Sequence, residues 1–259
     1  MAIQRMDANL IKIGPCWVSY KGIQLGSTQG GVTVKNENTS HEVKVDQTGE
    51  EILAEILLGG AWSAEVPLVE INKGVMGAIA PGADIIEEDS PFVAADSGSV
   101  YAGGKITFSV PITGIRVGDV VTYLSGGSSV KGTVGQFDLL AKEVYLKDGD
   151  STPDASPNAS LTHVSSVKFH NATGVNLLTL AGELILVPKD PNDTDYIIMP
   201  KAGLVFQPEF GFMNEEERKW TLQFKGYPDN DILHPTYSTG MGLFFGKQSD
   251  YDELSGGGS

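Results

Sequence analysis

Histidine and cysteine side chains, which often carry catalysis or bind metals, are few and scattered in this chain. His41, His163, His170 and His234 lie far apart, and no HExxH motif is present. Cys16 is the only cysteine, which excludes an intramolecular disulfide and a thiolate zinc site. We interpret the histidines as ordinary surface or core residues and Cys16 as a small buried apolar residue.

Two loops resemble ligand-binding motifs only superficially. Residues 98–105 are glycine-rich and end in Gly-Lys, but Ile106 follows where a phosphate-binding loop needs Ser or Thr for magnesium. Asp190, Asn192, Asp193 and Asp195 form an oxygen-rich stretch that lacks the glycine and the closing glutamate of a calcium loop. We predict a polar hairpin turn there. No catalytic, metal or cofactor residue is therefore predicted, although an inventory rich in carboxylates does not exclude a glycosidase.

The net charge of the chain disfavours some classes of binding partner. The chain has 33 acidic and 18 basic residues, a net charge of −15, and no Lys/Arg cluster. Specific DNA binding is disfavoured, because it needs a cationic face that displaces counterions from phosphates. No apolar run approaches the roughly 18–20 residues of a membrane span, and no basic-then-apolar leader is present, so we expect folding in a cytosol.

Residues 31–70 carry the clearest secondary-structure signals. Val32 and Val34, then Val43 and Val45, alternate with polar residues on either side of the polar stretch 36–40, which predicts an antiparallel hairpin with one apolar face. The sequence from Thr48 to Glu51 matches a capping box, so we predict a short helix over 52–57 that ends at Gly59-Gly60. A strand over 62–68 and a helix over 71–80 capped by Asn72 follow.

The remaining chain alternates strands with glycine turns. Residues 91–160 form a separate-looking β-rich unit that is similar to small SH3-like barrels, and residues 148–160, rich in Pro, Ser and Asp, are interpreted as a linker. Strand patterns return within 163–170, 182–190, 195–200, 203–210 and 219–229.

Two stretches, taken in order, resemble the major tail tube proteins of long-tailed bacteriophages. The resemblance covers roughly residues 8–82 and 162–247 and departs from the family pattern at 91–160, where an insertion stands. The residues that carry it are Leu25-Gly26 and Gly30-Gly31-Val32 near the start, Val45-Asp46-Gln47-Thr48-Gly49, Leu57-Leu58-Gly59, Val66-Pro67-Leu68 and Glu70 in the first stretch, and Leu177, Leu180-Ala181, Leu184, Leu186, Pro188, Pro200 and Pro228-Asp229 in the second.

The resemblance implies a mainly β fold, with a β-sandwich or barrel formed by residues 1–90 and 161–259, one or two short flanking helices, and a small SH3-like β-barrel inserted at 91–160. It implies self-assembly into hexameric rings that stack into a hollow tube in the virion, assembled in the host cytoplasm. The implied partners are other copies of the chain, tape-measure, tail-terminator and distal-tail proteins, and DNA that passes without specific binding. No cofactor and no membrane are implied.

The same resemblance suggests roles for the predicted hairpin. Its polar face would line the channel, and its turn would contact neighbouring subunits, while the insert would lie outside the tube, so that deleting 91–160 would leave assembly intact. A negatively charged lumen would let DNA slide. The predicted lumen-facing residues are Thr33, Lys35, Glu42, Lys44 and Asp46. The predicted subunit-interface loop consists of Asn36, Glu37, Asn38, Thr39 and Ser40.

Other interpretations stay open at the level of sequence. From the residues alone, the polar face of the hairpin is an ordinary solvated sheet face. A related ring-forming distal-tail or baseplate protein shares the family pattern. A soluble β-sandwich that binds a glycan or a host surface is a binding-module alternative, and a carbohydrate hydrolase is the least favoured.

Overall fold

A computed structural model describes residues 15–44, 52–70, 72–170, 174–205, 220–233 and 239–255, with side chains at 40, 43–44 and 52–59 outside that description. The fold is mainly β, with 54% strand and 7% helix, which confirms the predicted fold class. The first elements are β1 (Cys16–Tyr20), β2 (Ile23–Gln24), β3 (Thr33–Lys44), β4 (Ile52–Leu68), α1 (Lys73–Ile79) and β5 (Ala83–Glu87).

Two further groups of elements complete the described chain. The middle group is β6 (Val93–Asp96), β7 (Val100–Ala102), β8 (Lys105–Thr107), β9 (Val120–Ser125), β10 (Ser128–Asp138), β11 (Glu143–Leu146) and β12 (Ala159–Thr162). The last group is β13 (Val164–Phe169), β14 (Gly182–Pro188), β15 (Tyr196–Val205), β16 (Trp220–Tyr227), β17 (Asp229–Leu233), β18 (Gly240–Met241), β19 (Phe244–Gly246) and α2 (Gln248–Leu254).

The largest sheet is antiparallel and curls into a half-barrel. Its strand order is β2-β1-β14-β15-β16-β4-β3, with β19 pairing β15. Side chains alternate along β16, where Trp220, Leu222 and Phe224 are buried and Thr221 is exposed. This is the period of two expected for a strand with one face on a core, and it confirms the strand predicted from the same residues.

The core of this sheet lies between its buried face and helix α1. Tyr20 and Phe224 pack ring against ring with centroids 4.9 Å apart, and the Tyr20 hydroxyl donates to the Ala202 carbonyl at 3.0 Å. Val75 and Met76 of α1 join the same apolar cluster. Burying a large apolar side chain contributes about 1.5–3 kcal/mol. Packing of Val75 and Met76 against this cluster is therefore the main interaction that holds the helix on the sheet.

Helix α1 confirms the helix predicted after residue 70. Asn72 is its N-cap, and the side-chain oxygen accepts from the backbone N–H groups of Gly74 at 2.9 Å and Val75 at 3.4 Å. These donors have no partner within the helix, so the cap satisfies them. A helix of seven residues has little stability of its own in water, so this cap and the packing of its buried face define where it lies.

The helix predicted over 52–57 is wrong, because these residues belong to strand β4. The strand runs from Ile52 through Gly59-Gly60 to Leu68 and pairs with β3 from Ile52 to Glu65, with two register shifts along the way. Isoleucine at 52 and 56 suits a strand as well as a helix. Pairing with β3 decided in favour of the strand. A capping-box pattern is local and contains no information about a partner strand.

The middle elements form a second sheet with its own apolar cluster. The strand order is β6-β12-β9-β10-β11-β8-β7. Ile106, Val121, Tyr123, Val134 and Leu161 belong to this cluster, which is distinct from the one that contains Tyr20 and Phe224. The assignment of this unit to SH3-like barrels and the boundaries 91 and 160 stay predictions.

Residues 148–160 do not form the linker that their composition predicts. Pro153 and Pro157 are buried, and backbone hydrogen bonds join Leu124 N to Pro157 O at 2.8 Å and Asp154 N to Leu124 O at 2.8 Å. The Asp154 carboxylate accepts from Gly126 N at 2.8 Å and Gly127 N at 3.0 Å. Asp154 is therefore a capping group for a neighbouring turn, a role that composition does not distinguish from flexibility.

Candidate functional site

Strands β3 and β4 extend beyond the rest of the large sheet as a two-stranded arm. Strand β16 pairs β4 only from Trp220↔Leu68 to Lys225↔Ser63. Within the described residues, positions 36–44 and 52–62 pair only with each other, in a register that includes Asn36↔Trp62 and Glu42↔Glu55. We call this ribbon the hairpin arm. Nine strand residues at about 3.3 Å each give it a length of about 30 Å.

The base of the hairpin arm is fixed to the body by Trp62. Its indole lies where a side chain at Gly242 would stand, and its backbone lies against Gly226 of β16. The apolar residues Val32 and Val34 pack against the core cluster at the same end of β3. The arm therefore leaves a rigid base, whereas an isolated two-stranded ribbon is only marginally stable in water.

The outward face of β3, β4 and β16 is polar and continuous across the three strands. The register sets Thr33 opposite Glu65 and Glu65 opposite Gln223, and it sets Lys35 opposite Ser63 and Ser63 opposite Lys225. On the reverse face Val34, Ala64 and Phe224 form an inward row. The predicted division of β3 near Thr33 into one polar and one apolar face is confirmed.

The predicted lumen-facing residues do not all share this face. Thr33 and Lys35 are exposed and lie on it. Glu42 is also exposed, but it follows Lys35 by seven residues in one continuous strand, so alternation assigns it to the opposite face. Lys44 ends β3 with its side chain outside the description, and Asp46 lies outside the described residues. A role in lining a channel stays a prediction.

The loop predicted at residues 36–40 is wrong in conformation. All five residues are part of β3, and the connection between β3 and β4 falls at 45–51, outside the described residues. The loop was predicted because these residue types often form turns. In a two-stranded ribbon that is exposed on both faces, consecutive polar residues are equally compatible with a strand. The five residues are Asn36, Glu37, Asn38, Thr39 and Ser40, and their role at a subunit interface stays a prediction.

The outward face is not acidic, although the chain as a whole is. Lys35 and Lys225 lie on this face with Glu65, and alternation adds the exposed Glu37. The two positive and two negative side chains described on this face therefore give it no net charge. Such a surface gives phosphates neither net attraction nor the repulsion that the sequence suggested.

A tight joint connects α1 to the second sheet. The Asn72 side-chain amide donates to the Val117 carbonyl at 2.6 Å, and the Lys147 ammonium donates to the Ala78 carbonyl at 3.1 Å. Gly74 and Gly118 touch backbone to backbone, so a Cβ on either one would overlap the other. The sequence analysis did not predict this joint. The available signal was the helix cap Asn72 next to the Gly-x-x-Gly stretch 74–77.

Three carboxyl groups lie at the far side of the same joint, of which Asp150 and Glu183 are half-buried and Asp148 is exposed. Burial raises the pKa of Asp148 above its ordinary 3.8, and burial with the nearby charge of Asp148 raises the pKa of Asp150 and of Glu183 above 3.8 and 4.5. They surround a small cavity with Lys21 and Lys147. Burial, followed by repulsion from Lys147, lowers the pKa of Lys21.

The raised carboxyl pKa values predict the sign of a pH effect. Each of these groups binds its proton more tightly in the folded chain than in the unfolded one, so acidification toward pH 3.8–4.5 favours the folded state. We expect Glu183→Gln, at a half-buried position, to be more stable than the natural chain at neutral pH and to gain less on acidification. Urea unfolding midpoints between pH 7 and pH 4 measure both effects.

A control for net charge accompanies this experiment. Asp89→Asn removes the same charge from an exposed position away from the joint. Profiles of Glu183→Gln and Asp89→Asn that coincide would contradict the assignment of the effect to the half-buried carboxyl group.

The histidines in the described residues have structural surroundings. His163 stacks on Phe92 with ring centroids 4.0 Å apart, and its Nδ1 lies 3.0 Å from Asp119 Oδ2. The exposed His170 pairs with Asp84 at 2.9 Å, and His41 is exposed on β3. His234 lies outside the described residues. In the part of the chain that is described, no group of three or more His, Cys, Asp or Glu residues is arranged to hold a metal ion.

The oxygen-rich residues Asp190, Asn192, Asp193 and Asp195 connect β14 to β15, as the predicted polar turn requires. Asp190 Oδ1 accepts from Asn192 N at 2.9 Å. The turn therefore uses part of its carboxylate oxygen to bind its own backbone.

Comparison with known proteins gives no identification. No model of a protein family matches the chain, and no curated protein matches it at a significant level. Neither helix in the described residues has the length and apolar character needed to cross a bilayer.

Proposed function

We propose that this chain is the subunit of a phage tail tube, which self-assembles into hexameric rings that stack into a conduit for DNA. The observation that carries the proposal is the hairpin arm, a long ribbon that leaves a rigid base and has no third strand among the described residues. The resemblance of residues 8–82 and 162–247 to tail tube proteins supports it independently.

The physical argument concerns an unpaired edge. In the described chain, β3 is the last strand of the large sheet, so one edge of its twelve residues has no strand partner. Such an edge invites pairing with another chain. Closure of identical subunits into a ring satisfies every such edge at once, since each subunit offers the same surfaces.

The polar outward face supplies the second part of the argument. A channel for DNA needs a wall that is wetted but does not hold phosphates. The face that contains Thr33, Lys35, Glu65 and Gln223 has balanced charge and exposes polar groups. Passage without specific binding is consistent with that balance. Tape-measure, tail-terminator and distal-tail proteins would be the other partners, within a virion.

The test is the state of association of the full chain. We expect rings or tubes in negative-stain images at high protein concentration, and a hexamer or larger species in light scattering coupled to gel filtration. Rings that never stack would favour the related distal-tail or baseplate class. A monomer that persists at every concentration would contradict both ring-forming functions.

A further inference from the structure

A cleft of about 400 Å³ lies where the large sheet, α1 and the second sheet meet. The outward side of β1 and β2 contributes Trp17 and Gln24, strand β10 contributes Phe137, and the segment before β9 contributes Arg116. Glu70 and Ser27 complete the polar part of the lining. Clefts of this size that combine aromatic rings with a few polar groups are typical of small-ligand sites.

Arg116 is the one cation among the described residues that line this cleft. Its backbone N–H donates to Asp119 Oδ2 at 2.8 Å and its charge acts on that carboxylate, but within the described ranges its guanidinium makes no hydrogen bond or ion pair. The Glu70 carboxylate is already engaged, because its Oε2 accepts from Ser27 N at 3.3 Å and from Ser27 Oγ at 3.4 Å. The fork of guanidinium donors in the cleft therefore matches a carboxylate on a ligand.

Trp17 supplies the aromatic surface. The indole is 44% exposed, and the Lys189 ammonium lies 3.8 Å from its ring centroid. Lys189 does not line the cleft, so this cation–π contact orients the ring without filling the site. An exposed, oriented indole offers an electron-rich face to the C–H groups of a sugar ring.

We infer that this cleft binds an acidic saccharide, a pyranose ring that carries a carboxylate. The ring packs on Trp17, its carboxylate pairs with Arg116, and its hydroxyl groups meet Gln24 and Glu70. A neutral sugar leaves the guanidinium unused. This site is independent of ring assembly.

The test is calorimetric titration of the full chain with tetragalacturonic acid, together with maltotetraose as the neutral comparison. We expect saturable binding of the acidic tetrasaccharide, and binding of maltotetraose that is weaker by about tenfold or more. Arg116→Gln and Trp17→Val should each weaken acidic binding by about tenfold or more. Circular dichroism of each variant verifies that both remain folded.

Lys168→Gln is the matched control, since Lys168 is an exposed cation that does not line the cleft. Its binding should equal that of the natural chain. Equal affinity for the two tetrasaccharides, an equal loss in Lys168→Gln, or absence of saturable binding would each overturn the inference.

Discussion

Gly118→Ala is expected to destabilise the folded chain by about 2–5 kcal/mol, as the sum of backbone strain and overpacking. Gly118 has a φ of +88°, a conformation that costs a residue with a Cβ atom. A Cβ there would also overlap the backbone of Val75 and Gly74, at the joint between α1 and the second sheet. Backbone cannot move aside as a flexible side chain does, so the overlap is expensive. Urea unfolding followed by tryptophan fluorescence measures the loss.

Gly114→Ala is the matched control for this prediction. Gly114 has nearly the same φ, +86°, but nothing lies within 4 Å of a Cβ built on it. It should lose only the conformational part, about 1–2 kcal/mol. The difference between the two variants isolates the close contact at the joint. Equal losses would show that α1 and the second sheet separate there at no cost.

Much of the body follows from local sequence pattern. The alternation of Trp220, Leu222 and Phe224 with polar residues predicts β16, and the burial of these three side chains confirms it. Asn72 predicts the start of α1 because capping chemistry is local and specific. In both cases the residues that carry the signal are the ones that make the decisive contact.

The sequence prediction failed where the deciding partner is distant in sequence. Residues 52–57 satisfy helical spacing, but β3 pairs with them and extends them into a strand. Residues 148–160 have the composition of a linker, but the amide groups of Gly126, Gly127 and Thr133 bind their carboxylates. Pairing and capping across the fold overrode composition in each case.

The candidate site was only partly predictable for the same reason. The exposure of Thr33 and Lys35 follows from their alternation with Val32 and Val34. The prediction that Glu42 lies on the same face assumed a turn at 36–40. Because residues 36–40 are part of β3, alternation along the strand places Glu42 on the opposite face. The hairpin arm exists because β16 stops pairing at Ser63, a limit that no local pattern around β3 records.

Shortening the hairpin arm is expected to abolish ring assembly while the body still folds. Glu37 and Ala61 are directly paired, so replacing residues 38–60 by Asn-Gly joins them through a two-residue hairpin turn. The retained residues include Val34 and Trp62, which hold the base of the arm to the core. Circular dichroism and thermal unfolding should therefore remain close to those of the full chain.

Assembly should respond far more strongly than folding, because a closed ring needs every subunit contact at once and the loss at each contact multiplies. Gel filtration with light scattering and negative-stain imaging should find only monomers of the shortened chain. Leu140→Asp is the control: Leu140 is 96% exposed in the turn between β10 and β11 of the second sheet. This sheet is predicted to lie outside the tube, so the variant should form rings as the natural chain does. Rings formed by the shortened chain would show that subunits associate through some other surface, and the polar edge of β3 would then be an ordinary solvated edge.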